Sequence, residues 1–417
     1  MKISLPYGGS NVRVQVPDEN VLAVIEPREV QIGESSARVR DALQKPVPGI
    51  SLEALLRSHP GTLFIVNDVE RATPTAAVLD DLERLNLLPD SAEFIVATGT
   101  HAWPGPAGLE TVFRRRLPEV ASRVHVHDGR DEKSHVRIGR TSRGTDVLLD
   151  RRVVEAEALV VIGSVEPHYF AGFTGGRKGL FPGIAAYPSI EKNHRLAMGS
   201  GSQVMRLQGN PVHEDMAEAA GLLGDKPVFS IQVVLDGGNR VCGAFAGGLS
   251  DSLHQAAQLA EKIYGVPVAE PADIVVAVVD PPLDRSLYQA HKAIENTRSA
   301  VKPGGILILA AACSEGIGDD SFVRLLSASR DPEDVLLRAD RDYRLGFHKA
   351  ARIADLARRI SLLAVTRLEP DVLKSVFMHP FDDLQSALDA SLGEKPEAKI
   401  LFVLSAGLLV PLISGTR

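Results

Sequence analysis

The chain of 417 residues is poor in cysteine and lacks a long apolar run. Its two cysteines, Cys242 and Cys313, match no metal-binding or disulfide spacing, which is typical of a reducing compartment, and we expect a cytoplasmic protein. The N-terminus MKISLPYGGS has no apolar segment of the signal-peptide kind. The most apolar stretch, 400-ILFVLSAGLLVPLIS-414, falls short of the roughly 20 residues that span a bilayer. We therefore predict that this stretch forms a buried strand and an apolar terminal segment, and we expect no membrane association.

Basic clusters and nucleotide-binding motifs are also missing. Lys and Arg (46) are outnumbered by Asp and Glu (53), and no basic stripe with stacking aromatics is present, so we expect no nucleic-acid partner. The glycine-rich loop near residue 175 matches neither G-x-x-x-x-G-K-[ST] nor G-x-G-x-x-G, and HExxH and CxxC are absent. The loop is therefore not a standard NTP or dinucleotide site, and the chain has no strong metal-binding motif. Hydrophobic content of 44% is ordinary for a globular protein.

Short apolar runs alternate with segments of helical period, which predicts an α/β fold. The length favours two domains, and we place them at 1–268 and 269–417, with mostly parallel Rossmann-like sheets and an active-site cleft between them. The proline-containing segment 266-VPVAEPAD-273 is the expected linker. Thr73 is the expected N-cap of the predicted helix 73–87. Strands are predicted at 62–69, 92–98, 158–165, 228–235, 273–279, 304–312 and 398–404, and helices at 73–87, 213–223, 250–265 and 350–364.

Polar residues follow the first three of these strands. Asp68 and Arg71 follow 62–69, His101 follows 92–98 and His168 follows 158–165. Ligands of open α/β sheets bind beyond the carboxyl ends of the strands, so these side chains converge if their strands are neighbours. Two histidines can act as acid and base near neutral pH, and an arginine fork matches a carboxylate. Alternatively, each histidine is an ordinary loop residue and Arg71 pairs with Asp68 or Glu70 on the surface.

A second histidine group, in 124-VHVHDGRDEKSH-135, has a highly polar sequence. We therefore predict an exposed loop for His125, His127 and His135.

The segment 163-GSVEPHYFAGFTGGRKGLFPGIAAYPSIEKNH-194 concentrates glycine, lysine and histidine. Backbone N–H groups at Gly172, Gly175 and Gly176 can approach an anion closely; the alternative is a tightly packed turn. Lys178 precedes apolar residues, so desolvation can make its amine nucleophilic or available for a covalent cofactor link. His194 is a candidate metal ligand.

A third group lies in 280-DPPLDRSLYQAHKAIENT-297. Tyr288, Gln289 and Lys292 fall within about one turn of a helix that follows the strand 273–279. They are candidates for contact with a ligand; a solvated helix start is the alternative.

Together these motifs resemble the nickel-pincer-nucleotide lactate racemase family. The resemblance rests on 68-DVERATPT-75, 97-ATGTH-101, 166-EPHYFAGFTGGRKGLFPG-183, 192-KNH-194 and 287-LYQAHKA-293, and it extends over nearly the whole chain. It implies an isomerase that racemises or epimerises 2-hydroxy acids by reversible hydride transfer. The implied cofactor is a pyridinium-3-thioamide-5-thiocarboxylate mononucleotide that carries nickel, and enzymes that make this cofactor are implied partners.

The resemblance also implies roles for individual residues. Lys178 matches the lysine that tethers the cofactor, and the neighbouring Gly172, Gly175 and Gly176 are expected to approach it. His194 matches the protein ligand of nickel. The remaining positions match the acid–base pair His101 and His168, the carboxylate-binding Arg71 with Asp68 as orienting partner, and the second-domain residues Tyr288, Gln289 and Lys292.

One position departs from the family pattern, because the only tryptophan is Trp103 and a late-chain tryptophan is absent. The substrate is therefore lactate or a larger or more polar 2-hydroxy acid, and Trp103 either lines the pocket or plugs its loop. Two other functions stay open. One is a lyase, pyridoxal-phosphate-dependent or metal-independent, that uses Lys178; the other is a non-catalytic organic-acid binding protein. The sequence indicates no oligomeric state.

Overall fold

A computed structural model describes residues 1–27, 35–47, 51–103 and 105–414. The chain divides into two compact units, Glu29–Ile263 and the combination of Met1–Arg28 with Tyr264–Arg417. In the described residues no helix is both long and apolar enough to cross a membrane.

Strands and helices alternate along most of the chain. The strands are β1 (Lys2–Tyr7), β2 (Ser10–Gln15), β3 (Val21–Ile25), β4 (Thr62–Asn67), β5 (Glu93–Ala97), β6 (Val124–Val126), β7 (His135–Arg140), β8 (Asp146–Asp150), β9 (Ala158–Ser164), β10 (Pro167–His168), β11 (Gly172–Phe173), β12 (Val228–Leu235), β13 (Val241–Gly248), β14 (Gly265–Val268), β15 (Ala272–Val278), β16 (Val301–Ala310), β17 (Ser361–Val365), β18 (His379–Phe381), β19 (Ile400–Val403) and β20 (Val410–Ile413). The helices are α1 (Ser35–Gln44), α2 (Leu52–Ser58), α3 (Thr75–Arg84), α4 (Gly105–Phe113), α5 (Leu117–Val120), α6 (Arg151–Glu155), α7 (Arg177–Leu180), α8 (Tyr187–Arg195), α9 (Pro211–Gly221), α10 (Leu249–Tyr264), α11 (Leu287–Thr297), α12 (Asp320–Leu326), α13 (Pro332–Arg341), α14 (Phe347–Ala357), α15 (Pro370–Ser375) and α16 (Leu384–Glu394).

The unit Glu29–Ile263 is built on a six-stranded sheet in the order β13-β12-β9-β4-β5-β6. All neighbouring pairs are parallel except β12 with β13. The central strands are apolar over nearly their whole length because both faces are buried. Phe64, Phe94 and Phe229 fill the core on one face. The predicted α/β class is confirmed.

The other unit contains a fully parallel sheet in the order β18-β17-β16-β15-β19-β3. Its edge strand β3 comes from the start of the chain and pairs with β19 through Val24 and Phe402. Residues 1–28 therefore join this unit, whereas the sequence prediction assigned them to a first domain of 1–268. The second stretch of this unit begins at Tyr264, five residues before the predicted start at 269.

Three local predictions are wrong. The expected linker 266–273 instead contains most of β14, which pairs in parallel with β20, and the start of β15. The expected helix 350–364 ends at Ala357, and its last residues enter β17, where the apolar run SLLAV is buried beside β16. Thr73 does not cap α3, because its hydroxyl donates to Asn67 Oδ1 at 2.8 Å or to Ser164 Oγ at 2.9 Å.

In the histidine group near residue 130, one-third of the His125 side chain is exposed, but His127 and His135 are buried rather than exposed, with only 3% and 7% accessible. Their Nε2 atoms lie 3.1 Å apart, Thr98 Oγ1 lies 3.0 Å from His127 Nδ1, and His135 Nδ1 lies 2.8 Å from the carbonyl of Asp131. This chain of hydrogen bonds satisfies both rings inside the protein. Burial lowers the pKa of His127 to about 4, and the neighbouring His135 makes a smaller contribution in the same direction.

This burial predicts a loss of stability in weak acid. The pKa of His127 is about 4 in the folded chain and ~6.5 in an unfolded one, so the unfolded state binds more protons in between. Protonation of His127 does not lower the free energy of unfolding above pH 6.5. As the pH drops from 6.5 toward 4, it lowers that free energy by roughly 3 kcal/mol. Urea unfolding at several pH values should show a flatter pH dependence in His127→Asn than in the wild type. The exposed His254→Asn should keep the wild-type slope; equal slopes in all three proteins would contradict the prediction.

Candidate active site

The loops after β4, β5 and β9 carry the predicted catalytic residues, and these strands are direct neighbours in the order β9-β4-β5. The condition on which the predicted convergence depends, that these strands are neighbours, is therefore met. Asp68 and Arg71 follow β4, His101 follows β5 and His168 forms β10 shortly after β9.

Asp68 and His101 form a hydrogen-bonded pair, with 2.6 Å between Asp68 Oδ2 and His101 Nδ1. The carboxylate is buried, whereas 44% of the histidine side chain is exposed. A carboxylate accepts, so Nδ1 of His101 carries the proton and Nε2 of the neutral ring keeps its lone pair. The pair thus presents a base whose orientation and tautomer are fixed by the carboxylate.

Arg71 pairs with Glu166, with 3.1 Å between Arg71 Nη1 and Glu166 Oε1. Both side chains are about one-quarter exposed. The backbone N–H of Glu166 donates to Thr174 Oγ1 at 2.9 Å, which fixes the acid beside the glycine-rich loop. The carboxylate of Asp68, the expected orienting partner of Arg71, contacts His101, and the backbone carbonyl of Asp68 accepts from the Arg71 N–H at 3.3 Å. The guanidinium retains N–H donors for a bound carboxylate.

Lys178 lies in the short helix α7 and points at His168, with 3.4 Å between Lys178 Nζ and His168 Nε2. Burial lowers the pKa of Lys178 well below its ordinary value, Arg71 and Arg177 lower it further, and Glu166 opposes them. The amine is therefore far more nucleophilic near neutral pH than a solvated lysine. This agrees with the expectation of a desolvated lysine drawn from the sequence.

Arg177, next to Lys178, is buried and holds the loop together. Its guanidinium donates to the carbonyls of Ala171 at 2.9 Å, Phe173 at 3.1 Å and Gly175 at 3.2 Å. Burial lowers the pKa of Arg177 to about 9, so it remains a cation at neutral pH and repels a charge on Lys178.

Phe170 gathers three of the predicted residues around one ring. Its centroid lies 4.5 Å from that of His168 and 5.0 Å from that of His194, both at steep interplanar angles. Lys178 Nζ lies 5.7 Å from the same centroid. The expected acid–base residue, tether and metal ligand therefore line one buried aromatic side chain.

His194 is placed by helix α8, which is anchored from its buried face. Asn193 Nδ2 donates to Asp215 Oδ2 at 2.8 Å, and Asp215 also accepts from Thr141 at 2.5 Å and Thr145 at 2.9 Å. This network anchors the last turn of α8, which carries His194. Imidazole is a suitable ligand for nickel. Within the described part of the chain, no three His, Cys, Asp or Glu side chains are grouped so that they could hold a metal ion.

The loop glycines have a packing role. Gly172 (φ +79°) has no room for a Cβ, which would lie 2.1 Å from the carbonyl oxygen of Arg206. At Gly175 (φ +75°) a Cβ would lie 2.4 Å from Gln232 Oε1. That same oxygen accepts the backbone N–H of Gly176 at 2.7 Å. The tightly packed turn, the alternative left open by the sequence, accounts for these positions; their contact with a cofactor stays a prediction.

In the other unit, Tyr288, Gln289 and Lys292 lie in α11, as predicted, after the carboxyl end of β15. They are partly exposed, whereas most of this helix is buried. Lys349 of α14 reaches this turn, with its Nζ 3.0 Å from the ring centroid of Tyr288 and 3.2 Å from the Tyr288 carbonyl. The buried side chain of Lys349 thus holds the turn of α11 that carries Tyr288.

Sequence reasoning missed Phe170, Glu166, Gln232 and Arg177. Phe170 and Arg177 lie in the segment 163–194, but an apolar or basic residue in such a loop does not indicate which residues it contacts. Gln232 offers a usable signal, since it is a polar residue inside the apolar strand β12 and is fully buried. Trp103, by contrast, is 54% exposed and therefore does not plug its loop.

Comparison with known proteins identifies the family. The model of the lactate racemase N-terminal domain matches residues 7–205, and that of the lactate racemase C-terminal domain matches 268–411. Lactate racemase from Thermoanaerobacterium thermosaccharolyticum is 32% identical over 404 residues, 93% of each chain. Lactate racemase from Lactiplantibacillus plantarum is 28% identical over 97% of this chain and 98% of its own.

Solved structures similar to this chain include another lactate racemase. The lactate racemase apoprotein from T. thermosaccharolyticum superposes with a TM-score of 0.90 at 29% identity, covering 99% of this chain and 100% of that one. A Thermotoga maritima protein, at 16% identity, superposes with a TM-score of 0.69 over 92% of this chain and 100% of its own, which shows a shared fold alone. The chain therefore belongs to the lactate racemase family and is an isomerase of the racemase class.

Proposed function

We propose that this chain racemises or epimerises a small 2-hydroxy acid, lactate or a larger one, in the cytoplasm. The proposed cofactor is the nickel-pincer nucleotide, made by separate biosynthetic enzymes and tethered to Lys178. The observation that carries this proposal is the arrangement of Lys178, His168 and His194 around Phe170, beside neighbouring strands that supply the Asp68–His101 pair. Both named relatives are lactate racemases, which makes lactate the first substrate to test.

The residues fit the cofactor. Lys178 offers a desolvated amine suited to forming an amide-type link, and His194 offers an imidazole suited to nickel. When bound, this cofactor supplies a reversible hydride acceptor.

The protein's own side chains would handle protons and orientation. Arg71 binds the substrate carboxylate with N–H groups beyond the one facing Glu166. His101, held by Asp68, takes the hydroxyl proton of one enantiomer, and His168 serves the other. Tyr288, Gln289 and Lys292 remain proposed substrate-binding residues, supported by their partial exposure on α11.

The test is racemisation of a single lactate enantiomer in D₂O by protein produced together with the cofactor-making enzymes. Hydride transfer returns the original hydrogen to the α-carbon, so the opposite enantiomer should form without deuterium at that carbon. Deuterium incorporation would instead show proton abstraction and overturn the hydride mechanism. Larger 2-hydroxy acids are assayed in parallel.

Two further measurements test the alternatives. A borohydride-trapped pyridoxal adduct at Lys178 would support the lyase. Tight binding of 2-hydroxy acids by cofactor-free protein, with no exchange of stereochemistry under any condition, would support a binding protein.

A further inference from the structure

Both ring nitrogens of His168 face defined partners. Its Nδ1 lies 3.3 Å from the backbone nitrogen of Ala171, and its Nε2 lies 3.4 Å from Lys178 Nζ. A backbone N–H can only donate, so Nδ1 must accept and carries no proton. The neutral ring therefore has its proton on Nε2, where it points at the lysine.

A lysine can accept a hydrogen bond only as a neutral amine, since an ammonium group has no lone pair. The charges around Lys178 favour that form, because two cations, Arg71 and Arg177, face it and only Glu166 opposes them. Geometry and electrostatics thus agree on a neutral amine that accepts from His168.

The turn that holds the His168 ring is rigid. His168 pairs with Gly172 in the two-residue ladder of β10 and β11. Its ring is stacked on Tyr169, with centroids 5.2 Å apart and planes 14° apart, and lies edge-on to Phe170. Arg177 secures the carbonyl of Ala171 on the same turn. The ring therefore cannot turn its nitrogens over without disturbing several contacts.

We propose that His168 acts on Lys178 before it acts on substrate: it positions the neutral amine for acylation, and acylation then removes the acceptor that holds the proton on Nε2, a proton that Nε2 must lose before it can act as a base. This inference rests on the proposed function, because it assigns the cofactor to Lys178. In the acylation step the amine nitrogen bonds to a thiocarboxyl carbon of the cofactor, the carbon–oxygen bond of that group breaks, and the oxygen leaves as water after taking up protons, one of them from the amine nitrogen. The resulting amide-type nitrogen has a delocalised lone pair and no longer accepts from Nε2.

The proposal gives His168 a tautomer that can be read directly. Cofactor-free protein carrying ¹⁵N-labelled histidine is examined by long-range ¹H–¹⁵N correlation, which distinguishes protonated from unprotonated ring nitrogens. We expect a single tautomer of His168 with the proton on Nε2. A proton on Nδ1 overturns the proposal without any variant being needed.

Matched variants test the link to the lysine. Lys178→Met keeps an unbranched side chain one atom shorter than lysine and removes the acceptor, so the Nε2 signals of His168 should shift while those of His101, which faces Asp68, stay in place. The exposed Lys133→Met should change neither ring. Unchanged His168 signals in Lys178→Met would contradict the hydrogen bond.

The two proposals fail in different ways. Protein produced with the cofactor-making enzymes is digested, and the peptide containing Lys178 is weighed. No adduct on Lys178, together with the expected His168 tautomer and shift, removes the cofactor assignment and with it the proposed order of events. An adduct on Lys178 whose attachment leaves the His168 signals unchanged overturns the present inference and leaves the proposed function standing.

Discussion

Lys178→Met should yield a folded protein that carries no adduct, retains no stoichiometric nickel and does not racemise any 2-hydroxy acid. The amine is the proposed attachment point, and methionine fills most of the same space beside Phe170 without an amine nucleophile. Activity is expected to fall below detection, because the proposed hydride acceptor is lost rather than misplaced. Intact-mass measurement, nickel analysis and a chiral assay on protein produced with the cofactor-making enzymes test this directly.

The matched control is Lys133→Met, which removes an exposed lysine from the same unit. It should carry the adduct and nickel at wild-type levels. Racemisation by Lys178→Met at the wild-type rate would exclude any covalent role for this lysine. Loss of nickel with retention of the nucleotide mass would place the attachment at another residue.

Much of the central sheet could be predicted because its strands are buried on both faces. Continuous apolar runs such as 228–235 have few ways to be satisfied other than as interior strands, and β12 has the predicted bounds. The site loops follow from the same pattern, since polar residues just after such runs must lie at the carboxyl edge. That β9, β4 and β5 are neighbours was a condition of the prediction rather than a consequence of it.

Pairings between distant segments could not be predicted. Strand β3 joins β19 from the opposite end of the chain, so residues 1–28 belong to the unit of Tyr264–Arg417. Local periodicity carries no information on such pairing. The predicted end of α14 was wrong for a related reason. The apolar run 361-SLLAV-365 is too short to distinguish a strand from the last turn of a helix.

The partners of the site residues depend on side-chain geometry that spacing does not determine. Asp68 precedes Arg71 by three residues yet contacts His101, while Arg71 pairs with Glu166 from another loop. The burial of His127 was hidden in the same way: its sequence surroundings are polar, but another histidine satisfies the ring from across a turn. The resemblance to a family supplied candidate roles, whereas only the structure supplies these contacts.

His101→Asn should slow racemisation by about 10²- to 10⁴-fold, the usual contribution of a positioned general base, while the Lys178 adduct and nickel remain at wild-type levels. The asparagine amide can still donate to Asp68 Oδ2, as His101 Nδ1 does now, so the loop keeps its anchor and only the nitrogen at the Nε2 position is removed. Asp68→Asn, which keeps the size of the side chain but not its charge, should cause a smaller loss.

Because the two enantiomers are equal in energy, kcat/KM must fall by the same factor in both directions, and the chiral assay should be run from each enantiomer. A fall in one direction alone would indicate incomplete cofactor loading or an assay artefact rather than a missing base. If His101→Asn and the corresponding His168→Asn both keep full activity, the two-histidine assignment is wrong, and the Asp68–His101 pair serves the fold of its loop rather than proton transfer.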